Sequence, residues 1–143
     1  MRFREVIRPP LWLLAFIYFM LLSLVIAVWA ALGNRPAALA FIAATMGIIT
    51  LALAMKSEIV VDAHELRIGK AHIELRFIKS AVALDKNELR RARTRDADPA
   101  AFLAFNFWVS TGVKITLDDP RDPTPYWLVT TRRAKELTNT LYR

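Results

Sequence analysis

Two long uncharged runs fill most of the first 55 positions, and strict alternation of apolar and polar residues takes over after them. Leu11–Leu32 contains no charged residue, and Ser23 is its only conventional polar side chain. As a helix it would measure about 33 Å, enough to cross a hydrocarbon core of about 30 Å. Its thirteen Leu, Ile, Phe and Val residues favour insertion by at most about 4 to 8 kcal/mol. Residues 37–55 form a second uncharged run, richer in alanine and with seven such strongly apolar residues. Its gain is about 2 to 4 kcal/mol, so a single central Asp would cancel most of it. Gly33-Asn34-Arg35-Pro36 reads as the turn between them, with Gly and Asn ending one helix and Pro36 suiting the start of the next. So short a link predicts an antiparallel helical hairpin.

The flanking charges set an orientation. Arg2, Arg4 and Arg8 precede the first run, Lys56, Arg67 and Lys70 follow the second, and the turn offers Arg35 alone. The positive-inside rule then expects both termini in the cytoplasm and the turn outside. Trp12 and Trp29 stand near opposite ends of the first run, where interfacial aromatics belong. The apolar stretch is too long for a secretory leader, and a second one follows at once. Small residues recur at four-residue spacing, Ser23, Ala27 and Ala31 on the first helix, Ala40 with Ala44 and Ala43 with Gly47 on the second. That spacing lets helix backbones approach closely, either within the hairpin or against another membrane protein. Neither run carries an acid or base, which argues against an ion pathway within this subunit.

From residue 56 onward the period is two. Ile73, Leu75 and Phe77 alternate with His72, Glu74 and Arg76, and Val113, Ile115 and Leu117 with Lys114, Thr116 and Asp118. This predicts half-buried strands at residues 58–62, 66–69, 72–77, 78–84, 102–109, 113–117 and 126–131. Asp85 followed by Glu88 resembles a capping box and starts a short helix through Arg93. Residues 132–141 read as a terminal helix with Ala134, Leu137 and Leu141 on one face. The expected organisation is therefore a basic cytoplasmic tail (1–10), a transmembrane hairpin (11–55) and a cytoplasmic β-rich domain (56–143). Seven strands followed by a helix is the order of a pleckstrin-homology-like barrel, a fold analogy that carries no function by itself.

Composition narrows the chemistry. The chain has 143 residues, 55% of them hydrophobic, a net charge of +7 and no cysteine. Disulfides, thiolate catalysis and thiolate metal sites are thereby excluded. The basic balance points to anionic lipid or an acidic partner. Lys86, Arg90, Arg91, Arg93 and Arg95 form the densest basic cluster, and Arg132, Arg133 and Lys135 a second at the start of the last helix. Either cluster is a candidate contact for an anionic partner, or a solvated helix face. Asp118, Asp119 and Asp122 are candidate oxygen ligands for a hard cation, but three prolines interrupt them and the segment reads as a rigid turn. His64 and His72 are expected in a turn and on an outward strand face, and no nucleophile elbow, phosphate loop or zincin pair is present. Trp108, Tyr126 and Trp127 could form a ligand face, though alternation favours packing. Without an aromatic platform arranged beside the cations, nucleic acid is not an expected partner.

Several segments together carry a resemblance. They are Asp98-Pro99-Ala100-Ala101-Phe102, Trp108-Val109-Ser110-Thr111-Gly112-Val113, and the Asp-Pro-rich stretch from Asp118 to Arg133, with Arg8-Pro9-Pro10-Leu11-Trp12 and Glu65-Leu66-Arg67-Ile68-Gly69 before them. The chain resembles an actinobacterial membrane family, domain of unknown function 3093. The resemblance implies a two-span plasma-membrane protein and brings no catalytic residues or cofactor. The expected function is a non-enzymatic, membrane-anchored interaction module, an accessory or assembly subunit binding a protein partner. The alternative is an anionic-lipid-sensing domain.

Overall fold

The computed structural model describes residues 2–143. The chain divides into two units: Arg8–Lys56, and Ser57–Arg143 together with the N-terminal strand.

In the first unit, α1 (Leu11–Leu32) and α2 (Asn34–Ala54) are joined through Gly33 alone. Its φ of +89° is open to glycine, and its N–H returns to the Trp29 carbonyl at 3.0 Å. The second helix starts three residues before the expected boundary. N–H groups of a first turn have no intrahelical acceptor, so Pro36 fits inside it and the turn shrinks. Trp29 Nε1 donates to Asn34 Oδ1 at 2.7 Å, and Tyr18 and Thr45 share a hydrogen bond of 2.9 Å across the pair. Ala37 and Ala44, seven apart, are the buried positions of α2, where small side chains let α1 come close. Ser23 and Thr50 donate to the carbonyls four residues earlier, Phe19 and Met46. Every side-chain hydroxyl on the two helices is thus satisfied internally, while large apolar residues point outward all round. Mean hydropathies of 2.7 and 2.2 make both helices candidate membrane spans.

The second unit contains two four-stranded sheets. One has the order β1-β2-β3-β4, from β1 (Phe3–Ile7), β2 (Ser57–Val61), β3 (Glu65–Ile68) and β4 (Ala71–Glu74), all antiparallel. The other is mixed, with β5 (Ile78–Leu84), β7 (Gly112–Leu117) and β8 (Tyr126–Thr130) antiparallel and β6 (Phe102–Ala104) parallel to β8 at the edge. A single 3-10 turn, Leu75–Phe77, carries the chain from one sheet to the other. Inward residues of both sheets, among them Ile59, Leu66, Ile115 and Val129, share one core with Leu137 of α4 (Ala134–Leu141). α3 (Lys86–Arg93) lies over the mixed sheet through Leu89.

Four expectations need correction. The sheets do not close into a barrel, because β4 and β5 are consecutive yet unpaired and each sheet keeps free edges. The basic tail is no tail: Phe3, Glu5 and Ile7 face inward as β1, paired with β2 from Phe3↔Val61 to Ile7↔Ser57. The strand expected at residues 102–109 pairs for three residues only, since Asn106 turns away and spends both its N–H and its side-chain amide on the Thr130 hydroxyl. The strand expected at 72–77 gives way at Leu75 to the 3-10 turn.

Candidate functional site

The capping box at Asp85 forms as expected and fixes the helix that carries the main basic cluster. Asp85 Oδ1 accepts from the Glu88 N–H at 2.8 Å, and Glu88 Oε2 accepts from the Asp85 N–H at 2.9 Å. Leu89 is the anchor, buried against Tyr126 and Leu128. The sheet makes room for it at Gly112. A Cβ there would stand 2.5 Å from the Val129 carbonyl oxygen and 3.1 Å from Leu89 Cδ1.

With Leu89 inward, Lys86, Arg90, Arg91 and Arg93 are exposed on the helix, and Arg95 just beyond it. Three of the arginines sit in the last turn, where cations complement the helix dipole. Three of the acids around them are engaged elsewhere, Asp85 and Glu88 in the capping box and Asp98 accepting from the Ala100 N–H at 2.9 Å, which leaves Asp96. Arg93 lies over the Phe105 ring, 3.5 Å from its centroid, and joins the basic helix to the segment after β6. β6 and that segment together present large apolar side chains outward. Leu103 is 55% exposed and Phe107 59%, while Phe102 leans on the buried Trp127 with ring centroids 4.9 Å apart.

The second basic group has a different character. Arg133 is committed within the fold: Nε donates to Glu136 Oε2 at 2.8 Å, Nη1 donates to the Arg4 carbonyl at 3.1 Å, and the guanidinium covers the Phe3 ring. Hydrogen bonding to Glu136 raises its pKa above the ordinary arginine value, and the nearby Glu5 adds to this. Arg133 is therefore a clamp between α4 and β1 rather than a free contact for a partner. The Arg132 N–H donates to Glu5 Oε1 at 3.1 Å, and its exposed side chain borders an open groove of about 560 Å3 with Lys135, Ala83 and Thr111. Arg132 and Arg133 line that groove; none of Lys86, Arg90, Arg91, Arg93 and Arg95 does. Asp85 and Glu88 of the capping box line it as well, so the acids of α3, and none of its cations, share the groove with Arg132 and Arg133.

Glu5 was hidden from the pattern because it is a carboxylate inside a basic segment. It is buried, accepts from the Thr131 hydroxyl and the Arg132 N–H, and so ties β1 to the β8–α4 junction. Thr131 in turn accepts from the Arg133 N–H at 3.1 Å. The signal that could have found it is the alternation of Phe3, Glu5 and Ile7.

The acidic segment is built as turns. Asp119 Oδ1 accepts from the Arg121 N–H and Asp122 Oδ1 from the Thr124 N–H, each at 2.9 Å. Thr124, through its side chain and then its backbone N–H, holds the Asp122 carboxyl below the ordinary aspartate range. Among the described residues no three His, Asp or Glu side chains gather as a metal site would need. Trp127 and Tyr126 are packed, and Tyr126 Oη accepts from the Asp98 N–H at 3.3 Å. Trp108 packs on the core with its Nε1 buried and unpartnered among the described residues.

A family described as protein of unknown function (DUF3093) matches residues 2–141. No curated protein and no solved structure matches the chain.

Proposed function

The chain belongs to the DUF3093 family, and from that premise we propose that it is a membrane-anchored, non-enzymatic interaction module. The two helices fix it in the plasma membrane, and the mixed-sheet domain holds a partner at the cytoplasmic surface. The observation that carries this reading is the insertion of the hairpin into a strand pair. β1 ends at Ile7, β2 begins at Ser57, and these two residues are register partners. Both ends of the hairpin are thereby held together on one side of whatever the helices cross. The flanking cations, Arg2, Arg4 and Arg8 with Lys56, favour the cytoplasmic side. Internally satisfied hydroxyls and all-round apolar exposure fit a lipid solvent and would be costly in water. The order of strands closed by a terminal helix supports a distant pleckstrin-homology kinship with the barrel opened.

The first candidate partner is another membrane protein, for which the chain would act as an accessory or assembly subunit. Purification of the tagged chain in mild detergent, followed by mass spectrometry, tests this. A stoichiometric protein partner is the expected result; a lone chain that retains anionic lipid would overturn it in favour of the second reading, a lipid-sensing domain. One observation favours that second reading: Arg90, Arg91 and Arg95 make no ion pair among the described residues, and Arg93 of the same cluster stacks on Phe105 next to exposed apolar side chains.

A further inference from the structure

We propose that Leu103 and Phe107, with Phe102 at their base, are membrane-inserting side chains, and that Arg90, Arg91, Arg93 and Arg95 hold the anionic headgroups around them. The inference rests on the anchored reading above and gives its lipid-sensing form a defined site.

Three apolar side chains that a folded domain would normally cover lie within six consecutive positions, and Leu103 and Phe107 are more than half exposed. They are held in place rather than loose. β6 is paired to β8 from Phe102↔Trp127 to Ala104↔Val129, and Asn106 is fastened twice to Thr130, at 2.9 Å and 3.4 Å. Phe107 further rests edge-on against Trp108, ring centroids 5.0 Å apart. Little ordering entropy therefore remains to be lost on binding. Arg93, stacked on Phe105, sets the basic turn of α3 directly beside this segment. Of the acids near those arginines, Asp96 alone accepts no side-chain hydrogen bond among the described residues. Apolar prongs next to Arg93, with Arg90, Arg91 and Arg95 exposed on the same turn or just beyond it, match an anionic bilayer surface, whose headgroups take the charge and whose acyl boundary takes the rings. A protein that itself carries two membrane-length helices meets lipid at high effective concentration, so a modest intrinsic affinity suffices.

The chain contains no cysteine, which makes site-specific labelling clean. The full-length protein would be reconstituted in nanodiscs of phosphatidylcholine, with or without phosphatidylglycerol. An environment-sensitive fluorophore would be placed in turn at Phe107→Cys, at Ile26→Cys in the hairpin, and at the exposed Asn139→Cys as control. With phosphatidylglycerol present, the probe at 107 should shift to the blue and escape aqueous iodide, while the probe at 139 stays wet. Changing the four arginines to Gln should lower docking by up to about 1,000-fold, and changing them to Lys should largely preserve it. The same experiment at Leu103→Cys guards against a local effect of one label. A probe at 107 that stays quenchable in anionic discs while the probe at 26 is protected overturns the proposal, and a protein surface becomes the occupant. A probe at 26 open to iodide would overturn the anchored reading itself.

Discussion

The helical hairpin and the sheet domain solve the burial problem in opposite ways. In the hairpin, α1 has no buried residue and α2 has Ala37 and Ala44, so nearly all of its apolar surface faces outward. In the domain, long aliphatic side chains from two sheets and a helix are taken to near-zero exposure around Leu66, Ile115 and Leu137. Polar groups follow the same division. The hairpin's few hydroxyls bond to each other or to their own helix, while the domain uses a buried carboxylate as a cross-link between the start and the end of the chain. One unit is specified by what surrounds it, the other by what it encloses. The first should tolerate a change of apolar shape and fail on a charge; the second should fail on either, because its core is closely packed as well as dry.

The largest expected effect lies in the enclosed core. Leu137→Ala leaves a cavity under α4 and should cost the domain about 2 to 5 kcal/mol, read as the denaturation midpoint of the sheet signal. The corresponding change in the hairpin, Leu39→Ala, should leave that midpoint where it is, since Leu39 is 70% exposed. Next comes the charge: Ala44→Asp should cost α2 about 3 kcal/mol of insertion, visible as a rise in the non-inserted fraction in a glycosylation-mapping assay. Glu5→Ala leaves the Thr131 hydroxyl and the Arg132 N–H without their acceptor, and should cost about 2 to 3 kcal/mol by the same denaturation measurement. Gly112→Ala drives a methyl group of β7 into the Val129 carbonyl of β8 and against Leu89 of α3, and should cost about 1 to 3 kcal/mol. The smallest effect concerns pH. The Asp122 carboxyl is depressed in the fold, so its stabilisation is full above the ordinary aspartate range and is lost as pH falls through its lowered value. The melting difference between the parent and Asp122→Asn should therefore be slight at neutral pH and vanish in strong acid.

The long periodic elements were readable from the chain, and the reasons are local. An uncharged run of membrane length, an Asp85–Glu88 cap and the alternation in Gly112–Leu117 each declare themselves within a few residues. The failures were tertiary. Residues 3–7 look like a charged leader until their partner strand, some fifty positions later, is known. The parallel pairing of β6 with β8 is invisible to periodicity, because Phe102, Leu103 and Ala104 are apolar in succession. The basic clusters were visible as charge, but not their division of labour. Only Glu136, Phe3 and the Arg4 carbonyl reveal that Arg133 is a structural clamp. The exposed aromatic segment escaped because the strand expected over residues 102–109 would have sent alternate side chains into the core.

The pairing of β1 with β2 also orders events during synthesis. As the chain leaves the ribosome, β1 has no partner until residues 57–61 have followed it. At about 5 to 20 residues per second that wait lasts several seconds, and its second fastening, from Glu5 to Thr131, comes 126 positions later. The hairpin is complete before either contact can form. Residues 3–7 are thus made well before both of their partners, and the pair of β1 with β2 can form only once the hairpin has been translated.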